Sequence, residues 1–113
     1  MKIYISGICG TGMGPLALMA KKAGMEVVGS DLEEGMIAEE LREAGIDFSI
    51  GEQDGKFLKK QIANGVEWFV HTSSLPETSA ELILAKESGI KVSKRDELVA
   101  WLVNNLKIGR AHV

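Results

Sequence analysis

The chain has 113 residues, of which 45% are hydrophobic and 26% charged, and its formal net charge is -3. These values fit one globular domain, and the acidic balance argues against nucleic-acid binding. No apolar run approaches the about 20 residues of a membrane-spanning helix, and no signal peptide precedes the first strand-like run. Since Cys9 is the single cysteine, no internal disulfide can form, and we expect a cytoplasmic protein without a membrane partner.

Strand-like and helix-like runs alternate along the chain, with glycines or polar turns between them. In chain order the pattern predicts a strand at residues 2–6, a helix at 13–22, a strand at 26–31, a helix at 36–45, a strand at 47–51, a helix at 55–65, a strand at 66–72, a helix at 79–89, a strand at 90–94 and a helix at 95–105. Helical crossovers join parallel strands, so we predict a single-domain α/β fold with a Rossmann-like, doubly wound sheet of five parallel strands. The usual strand order, 3-2-1-4-5, places the ligand-binding switch point between strands one and four.

The turn after the first strand, GICGTGMG, contains Gly7, Gly10, Gly12 and Gly14. Without side chains, its backbone N–H groups, including those of Gly10 and Gly12, can approach a diphosphate, and the next helix adds partial positive charge at its N-terminus. Alternatively, the glycines only permit tight packing of strand against helix. Because the spacing departs from a plain G-x-G-x-x-G, the loop indicates a phosphate site without identifying the ligand.

Polar residues also follow other predicted strands. Asp31 ends the second strand, where an acid binds ribose hydroxyls in dinucleotide-binding folds, but it can also cap the next segment. Ser73 and Ser74 follow the fourth strand and either offer hydroxyls to a ligand or form an ordinary turn. Arg95 follows the fifth strand and either reaches an anion or only flanks a helix start.

The segments GICGTGMGPLA, VVGSD, HTSSLP and VSKRDEL, in this order, resemble the N-terminal domain of the Mur ligases of peptidoglycan synthesis. The resemblance covers residues 1–106 and is strongest to the ligases that join L-alanine to UDP-N-acetylmuramate. It implies that the glycine turn contacts the diphosphate, Asp31 the uridine end, and the serines with Arg95 the far side of the nucleotide. The residues implied to bind this substrate are Gly7, Cys9, Gly10, Thr11, Gly12, Met13, Gly14, Asp31, Ser73, Ser74 and Arg95. GICGT is also similar to the ligase that attaches a recycled murein tripeptide, so the second substrate stays open.

In the Mur ligases a P-loop, G-x-x-x-x-G-K-[ST], cradles the phosphates of ATP, and this pattern does not occur in the chain. The resemblance therefore implies that ATP and Mg²⁺ bind to central and C-terminal domains outside this chain. Residues 1–107 are expected to bind the nucleotide sugar without catalysing ligation.

Residues 108–113, IGRAHV, depart from the family pattern and match the translation of a common sequencing adapter, so we expect a non-native or disordered tail. An ordinary frayed terminus is the alternative.

Two other functions are compatible with these residues. An NAD-binding domain of a dehydrogenase or regulatory module shares the glycine turn and the acid at a strand end. A purely structural domain would leave both features without a ligand. Binding of uridine nucleotides in preference to NAD would separate the ligase interpretation from both alternatives.

Overall fold

The computed structural model describes residues 1–110, and five strands alternate with five helices in this part of the chain. The elements are β1 Lys2–Ser6, α1 Gly14–Lys22, β2 Glu26–Asp31, α2 Ala38–Glu43, β3 Asp47–Ile50, α3 Lys56–Ala63, β4 Trp68–His71, α4 Ala80–Glu87, β5 Lys91–Lys94 and α5 Arg95–Arg110. Helix α5 thus runs past the predicted end at Asn105, while residues 111–113 of the predicted tail lie outside the described residues. Among residues 1–110, no helix has both the length and the apolar character that crossing a bilayer requires.

The strands form one parallel sheet in the order β3-β2-β1-β4-β5, which confirms the predicted fold class and strand order. Strand β1 is central: Ile3 pairs with Val27 of β2 on one side and with Trp68 of β4 on the other. The chain therefore winds outward from β1 in one direction and then in the other. This doubly wound path places the switch point between β1 and β4, at the carboxyl edge of the sheet.

Alternate residues of β1 point to opposite faces of the sheet and enter two separate cores. Ile3 and Ile5 belong to the larger cluster, with side chains from α1, α2 and α5. Tyr4 belongs to the smaller cluster, with side chains from α3 and α4. Each fully buried aliphatic or aromatic side chain stabilises the fold by about 1.5–3 kcal/mol. Both faces are covered, and the carboxyl edge of the sheet stays accessible for a ligand.

Candidate functional site

The glycine loop, residues 7–13, connects β1 to α1 at the carboxyl edge of the sheet. Gly7 has a φ of 81°, in the left-handed region that residues with side chains rarely adopt, so a glycine is required where the loop begins. The backbone N–H groups of Gly7 and Ile8 both donate to the carbonyl oxygen of Ser30, at 2.8 and 3.0 Å. The loop is therefore hydrogen-bonded to the end of β2.

Two N–H groups of the glycine loop are left for a ligand. The N–H of Gly10 donates to the carbonyl oxygen of Gly7 at 3.0 Å, and that of Met13 donates to Gly10 at 3.2 Å. Within residues 1–110, the N–H groups of Thr11 and Gly12 have no protein acceptor, and both residues are exposed. Of the two predicted phosphate donors, Gly12 is thus available, whereas the N–H of Gly10 is used inside the loop.

The glycines at the end of the loop lack side chains for different reasons. A Cβ atom on Gly14 would lie 2.6 Å from Cδ1 of Ile37, so this glycine lets α1 pack closely against the segment before α2. A Cβ atom on Gly12 would meet Nε of Arg95 at 3.4 Å and no other atom within 4 Å in the described part of the chain. Tight packing therefore explains Gly14, whereas Gly12 borders open space.

Asp31 holds the glycine loop from the end of β2. Its Oδ2 accepts a hydrogen bond from the backbone N–H of Cys9 at 2.9 Å. Its Oδ1 lies 3.4 Å from the backbone nitrogen of Glu33, so the capping contact is present only in a weak form. One carboxylate oxygen therefore orders the loop, and the other keeps most of its capacity to accept hydrogen bonds. The nucleoside contact of Asp31 stays a prediction.

Arg95, the first residue of α5, lies against the glycine loop. Its Nε donates to the carbonyl oxygen of Gly12 at 3.2 Å, although the two residues are 83 positions apart. The contact brings a guanidinium group beside the free N–H groups of Thr11 and Gly12. Charged and neutral hydrogen-bond donors for an anion are therefore adjacent at this edge of the sheet.

A cleft of about 200 Å³ extends beyond Arg95, and its lining residues are Thr72, Ser73, Lys94, Arg95 and Asp96. Ser73 and Arg95, predicted to act together, thus share one cleft. Ser74 is not among the lining residues, and its Oγ lies 3.0 Å from Oγ1 of Thr72, as in an ordinary polar turn. The structure therefore brings Ser73, but not Ser74, to the side of Arg95.

A second cleft, of about 440 Å³, lies on the other side of the glycine loop and is mostly apolar. It is lined by Cys9, Gly10, Thr11, Pro15, Gly35, Met36 and Ile37. The sequence patterns assigned Met36 and Ile37 to the predicted helix at 36–45 and not to the site, whereas α2 begins only at Ala38 and leaves both residues in the segment before it. Met13 is only 1% exposed, belongs to the larger core and donates its N–H to Gly10, so neither its side chain nor its N–H is available to a ligand.

The sequence also failed to indicate a buried acid below the glycine loop. Glu81, in the first turn of α4, is 1% exposed and accepts hydrogen bonds from Tyr4 Oη at 2.5 Å and Ser6 Oγ at 2.8 Å. Burial, and then the charge of Glu81, raises the pKa of the Tyr4 phenol well above its usual value. The available signal was helical spacing: Glu81 precedes buried Ala85 by one turn, so an acid occupies the apolar face of α4.

A family model described as "Mur ligase family, catalytic domain" matches residues 2–107. Among curated relatives, the UDP-N-acetylmuramate–L-alanine ligase of Symbiobacterium thermophilum is 33% identical over 110 residues, which are 97% of this chain and 22% of the relative. The chain thus spans about a fifth of the length of the curated relatives that it matches.

Two solved structures are also similar. The UDP-N-acetylmuramate-alanine ligase from Thermotoga maritima has a TM-score of 0.73 and 25% identity, and the match covers 95% of this chain and 23% of that one. The UDP-N-acetylmuramate:L-alanyl-γ-D-glutamyl-meso-diaminopimelate ligase from Neisseria meningitides has a TM-score of 0.72 and 28% identity, with coverage of 82% and 28%. Because the family model matches nearly the whole chain and the fold agrees with these structures, the chain belongs to the Mur ligase family and corresponds to its Rossmann-like N-terminal domain.

Proposed function

We propose that this domain binds the UDP part of UDP-N-acetylmuramate for an ATP-dependent ligase that joins L-alanine to this nucleotide sugar. The observation that carries the proposal is the group of donors at the glycine loop. The free N–H groups of Thr11 and Gly12 lie beside the guanidinium of Arg95, which contacts the Gly12 carbonyl. A diphosphate is an anion that needs several such donors. The uridine and N-acetylmuramate parts of the proposed substrate are taken from the names of the curated relatives.

The apolar cleft beside the loop supports a place for the nucleoside. Its volume of about 440 Å³ falls within the usual range for small-molecule sites, and Met36 and Ile37 offer apolar surface to the faces of a base. Asp31 contacts Cys9, which lines this cleft, so its Oδ1 is a candidate acceptor for nucleoside hydroxyl or N–H groups. In this proposal the diphosphate lies over the loop and the uridine lies towards Asp31.

The part of this domain in the reaction is to hold and orient the nucleotide end of the substrate. ATP, bound with Mg²⁺, supplies the phosphoryl group that activates a carboxylate for amide formation. Since the chain contains no P-loop pattern, we assign ATP and Mg²⁺ to central and C-terminal domains of the parent ligase. A ligase that consumes ATP works where ATP is abundant, so we expect the parent protein in the cytoplasm.

Ligation of a murein tripeptide is the second candidate reaction. It is favoured by the similarity to the Neisseria meningitides ligase, which is 28% identical to this chain and whose name includes the tripeptide. Both candidates use UDP-N-acetylmuramate, so the site at the glycine loop is common to them.

Parallel calorimetric titrations with UDP-N-acetylmuramate, UDP and NAD test the proposal. We expect both uridine ligands to bind more tightly than NAD. Arg95→Ala should weaken UDP binding, whereas Lys59→Ala, which removes one positive charge from an exposed position on α3, should leave it unchanged. Tighter binding of NAD than of UDP would refute the assignment. Equal effects of the two variants would remove Arg95 from the site.

A further inference from the structure

Four neutral side chains surround the carboxylate of Glu81 on the sheet face covered by α3 and α4. Tyr4 Oη donates to Oε2 at 2.5 Å, and Ser6 Oγ donates to Oε1 at 2.8 Å. Ser30 Oγ lies 2.9 and 2.8 Å from the two oxygens, and Gln53 Nε2 lies 3.3 Å from Oε1. We call these five residues the Glu81 cluster.

Burying the carboxylate of Glu81 costs desolvation free energy that an apolar side chain would not cost. None of the ion pairs formed in the described part of the chain includes Glu81, so the buried charge has neutral partners. A buried carboxylate without a cation requires several well-aimed hydrogen-bond donors, and apolar residues often stabilise such a position equally well. Stability alone therefore does not explain why Glu81 stands here, and the position of the segments that carry the donors is the more informative feature.

The donors hold the two strand ends that carry the glycine loop. Ser6 and Ser30 are paired neighbours at the ends of β1 and β2, and both hydroxyls contact Glu81. The carbonyl oxygen of the same Ser30 accepts the N–H groups of Gly7 and Ile8. A continuous path of hydrogen bonds thus runs from Glu81 through Ser30 into the beginning of the loop.

We infer that Glu81 is a positioning residue for the diphosphate: by holding Ser6 and Ser30, it orients the glycine loop and its free N–H groups. The ligand in this inference rests on the proposed function. The geometric part does not, because the path from Glu81 to Gly7 and Ile8 exists without a ligand.

The substitution Glu81→Gln separates positioning from electrostatics. It removes a buried negative charge below an anion site while keeping the shape of the side chain. Charge removal alone would strengthen diphosphate binding. Loss of positioning has the opposite sign, since the amide nitrogen replaces one carboxylate oxygen and, as a donor, cannot accept from the hydroxyl groups that bonded to that oxygen. The direction of the change in UDP affinity therefore distinguishes the two effects.

Amide hydrogen exchange measures the positioning directly in the ligand-free protein. In Glu81→Gln, we expect the N–H groups of Gly7 and Ile8 to exchange at least about tenfold faster. Ser30→Ala keeps the carbonyl that these groups bind, removes the side-chain link, and should have the same effect. The matched control is Ser93→Ala, which removes another buried hydroxyl, the acceptor of Trp68 Nε1 at 2.7 Å, and should leave both rates unchanged.

Titrations with UDP and uridine complete the experiment. Both cluster variants should lose about tenfold in UDP affinity while their uridine affinity changes little, because uridine lacks the phosphates. Unchanged exchange at Gly7 and Ile8, or tighter UDP binding by a folded Glu81→Gln protein, would overturn the inference. If Glu81→Gln does not fold, the amide exchange rates and the UDP affinity of Ser30→Ala test the inference in its place. A wild-type protein that binds no UDP would refute the proposed function, and faster exchange would still assign Glu81 to holding the loop.

Discussion

The carboxylate of Asp31 accepts a hydrogen bond from the backbone N–H of Cys9 at 2.9 Å. Together with the two bonds from Gly7 and Ile8 to the carbonyl of Ser30, it ties three successive N–H groups of the glycine loop to the end of β2. The N–H groups left for a ligand come later in the loop, at Thr11 and Gly12. Asp31, which the sequence predicts to bind the ligand, thus also orders the glycine loop that the ligand would contact.

Replacement of Asp31 tests this double contribution. A hydrogen bond to a charged acceptor is worth about 1.5–3 kcal/mol, so Asp31→Ala should weaken binding of UDP and of UDP-N-acetylmuramate about tenfold to a hundredfold. The two factors should be similar, because the ligands share the nucleoside and the diphosphate. Calorimetry on both ligands measures them. Asp47→Ala, at an exposed position at the start of β3, is the control. Unchanged UDP binding by the Asp31 variant would show that neither a nucleoside contact of Asp31 nor its bond to Cys9 contributes to the affinity.

Gly12→Val should abolish binding without unfolding the domain. The added branches would enter the open space beside Arg95, since a Cβ atom on Gly12 would have no other neighbour within 4 Å in residues 1–110. Circular dichroism should stay native while the heat of UDP-N-acetylmuramate binding disappears. Ala63→Val adds the same branches at an exposed position on α3 and should bind normally. Full binding by folded Gly12→Val would show that no phosphate lies over this residue.

The chain alone should not hydrolyse ATP. Without a P-loop it lacks the backbone cradle and the lysine that stabilise a phosphoryl group in transfer. We expect no release of phosphate above a buffer control when ATP, Mg²⁺, UDP-N-acetylmuramate and L-alanine are all present. The Gly12→Val protein, purified in parallel, controls for contaminating ATPases. Phosphate release by the wild type that this variant lacks would contradict the assignment of catalysis to other domains.

Tyr4 should remain protonated until the protein unfolds in alkali. Burial and the neighbouring Glu81 raise the pKa of its phenol, whereas in the unfolded chain the phenol ionises near its ordinary pKa of about 10. The protonated phenol therefore stabilises the fold fully below that pH, and this contribution is lost as the pH rises further. Because Tyr4 is the only tyrosine, tyrosinate absorbance reports it alone.

The alkaline titration should show one cooperative step, in which tyrosinate absorbance and loss of circular dichroism coincide. The chain in concentrated urea is the control and should titrate near pH 10. Ionisation of the phenol near that pH while the circular dichroism stays native would show that Tyr4 does not lie in the buried environment of the Glu81 cluster.

Local patterns were sufficient to predict the five strands and five helices, whereas the strand order was taken from the usual order of Rossmann-like folds and not from spacing. Strand β1 and strand β2 have the predicted bounds, because apolar alternation and flanking glycines are local signals. Spacing did not show that the N–H of Gly10 is used within the loop while that of Gly12 is free, since this depends on the path of the turn. It also did not show that Glu81 is buried, because the hydroxyls of Ser6 and Ser30 meet it only after the sheet has formed.

The central place of β1 in the sheet has a consequence for how the chain folds. Ile3 pairs with Val27 along one edge of β1 and with Trp68 along the other. In each case at least one helix lies between the two paired strands in the chain. Such pairings join residues that are distant along the chain, so the entropy of loop closure opposes them before their contacts form. During synthesis, one edge of β1 has no partner until β4 emerges from the ribosome. An exposed, apolar strand edge is prone to misassembly, so the nascent domain is most open to wrong pairing during this interval.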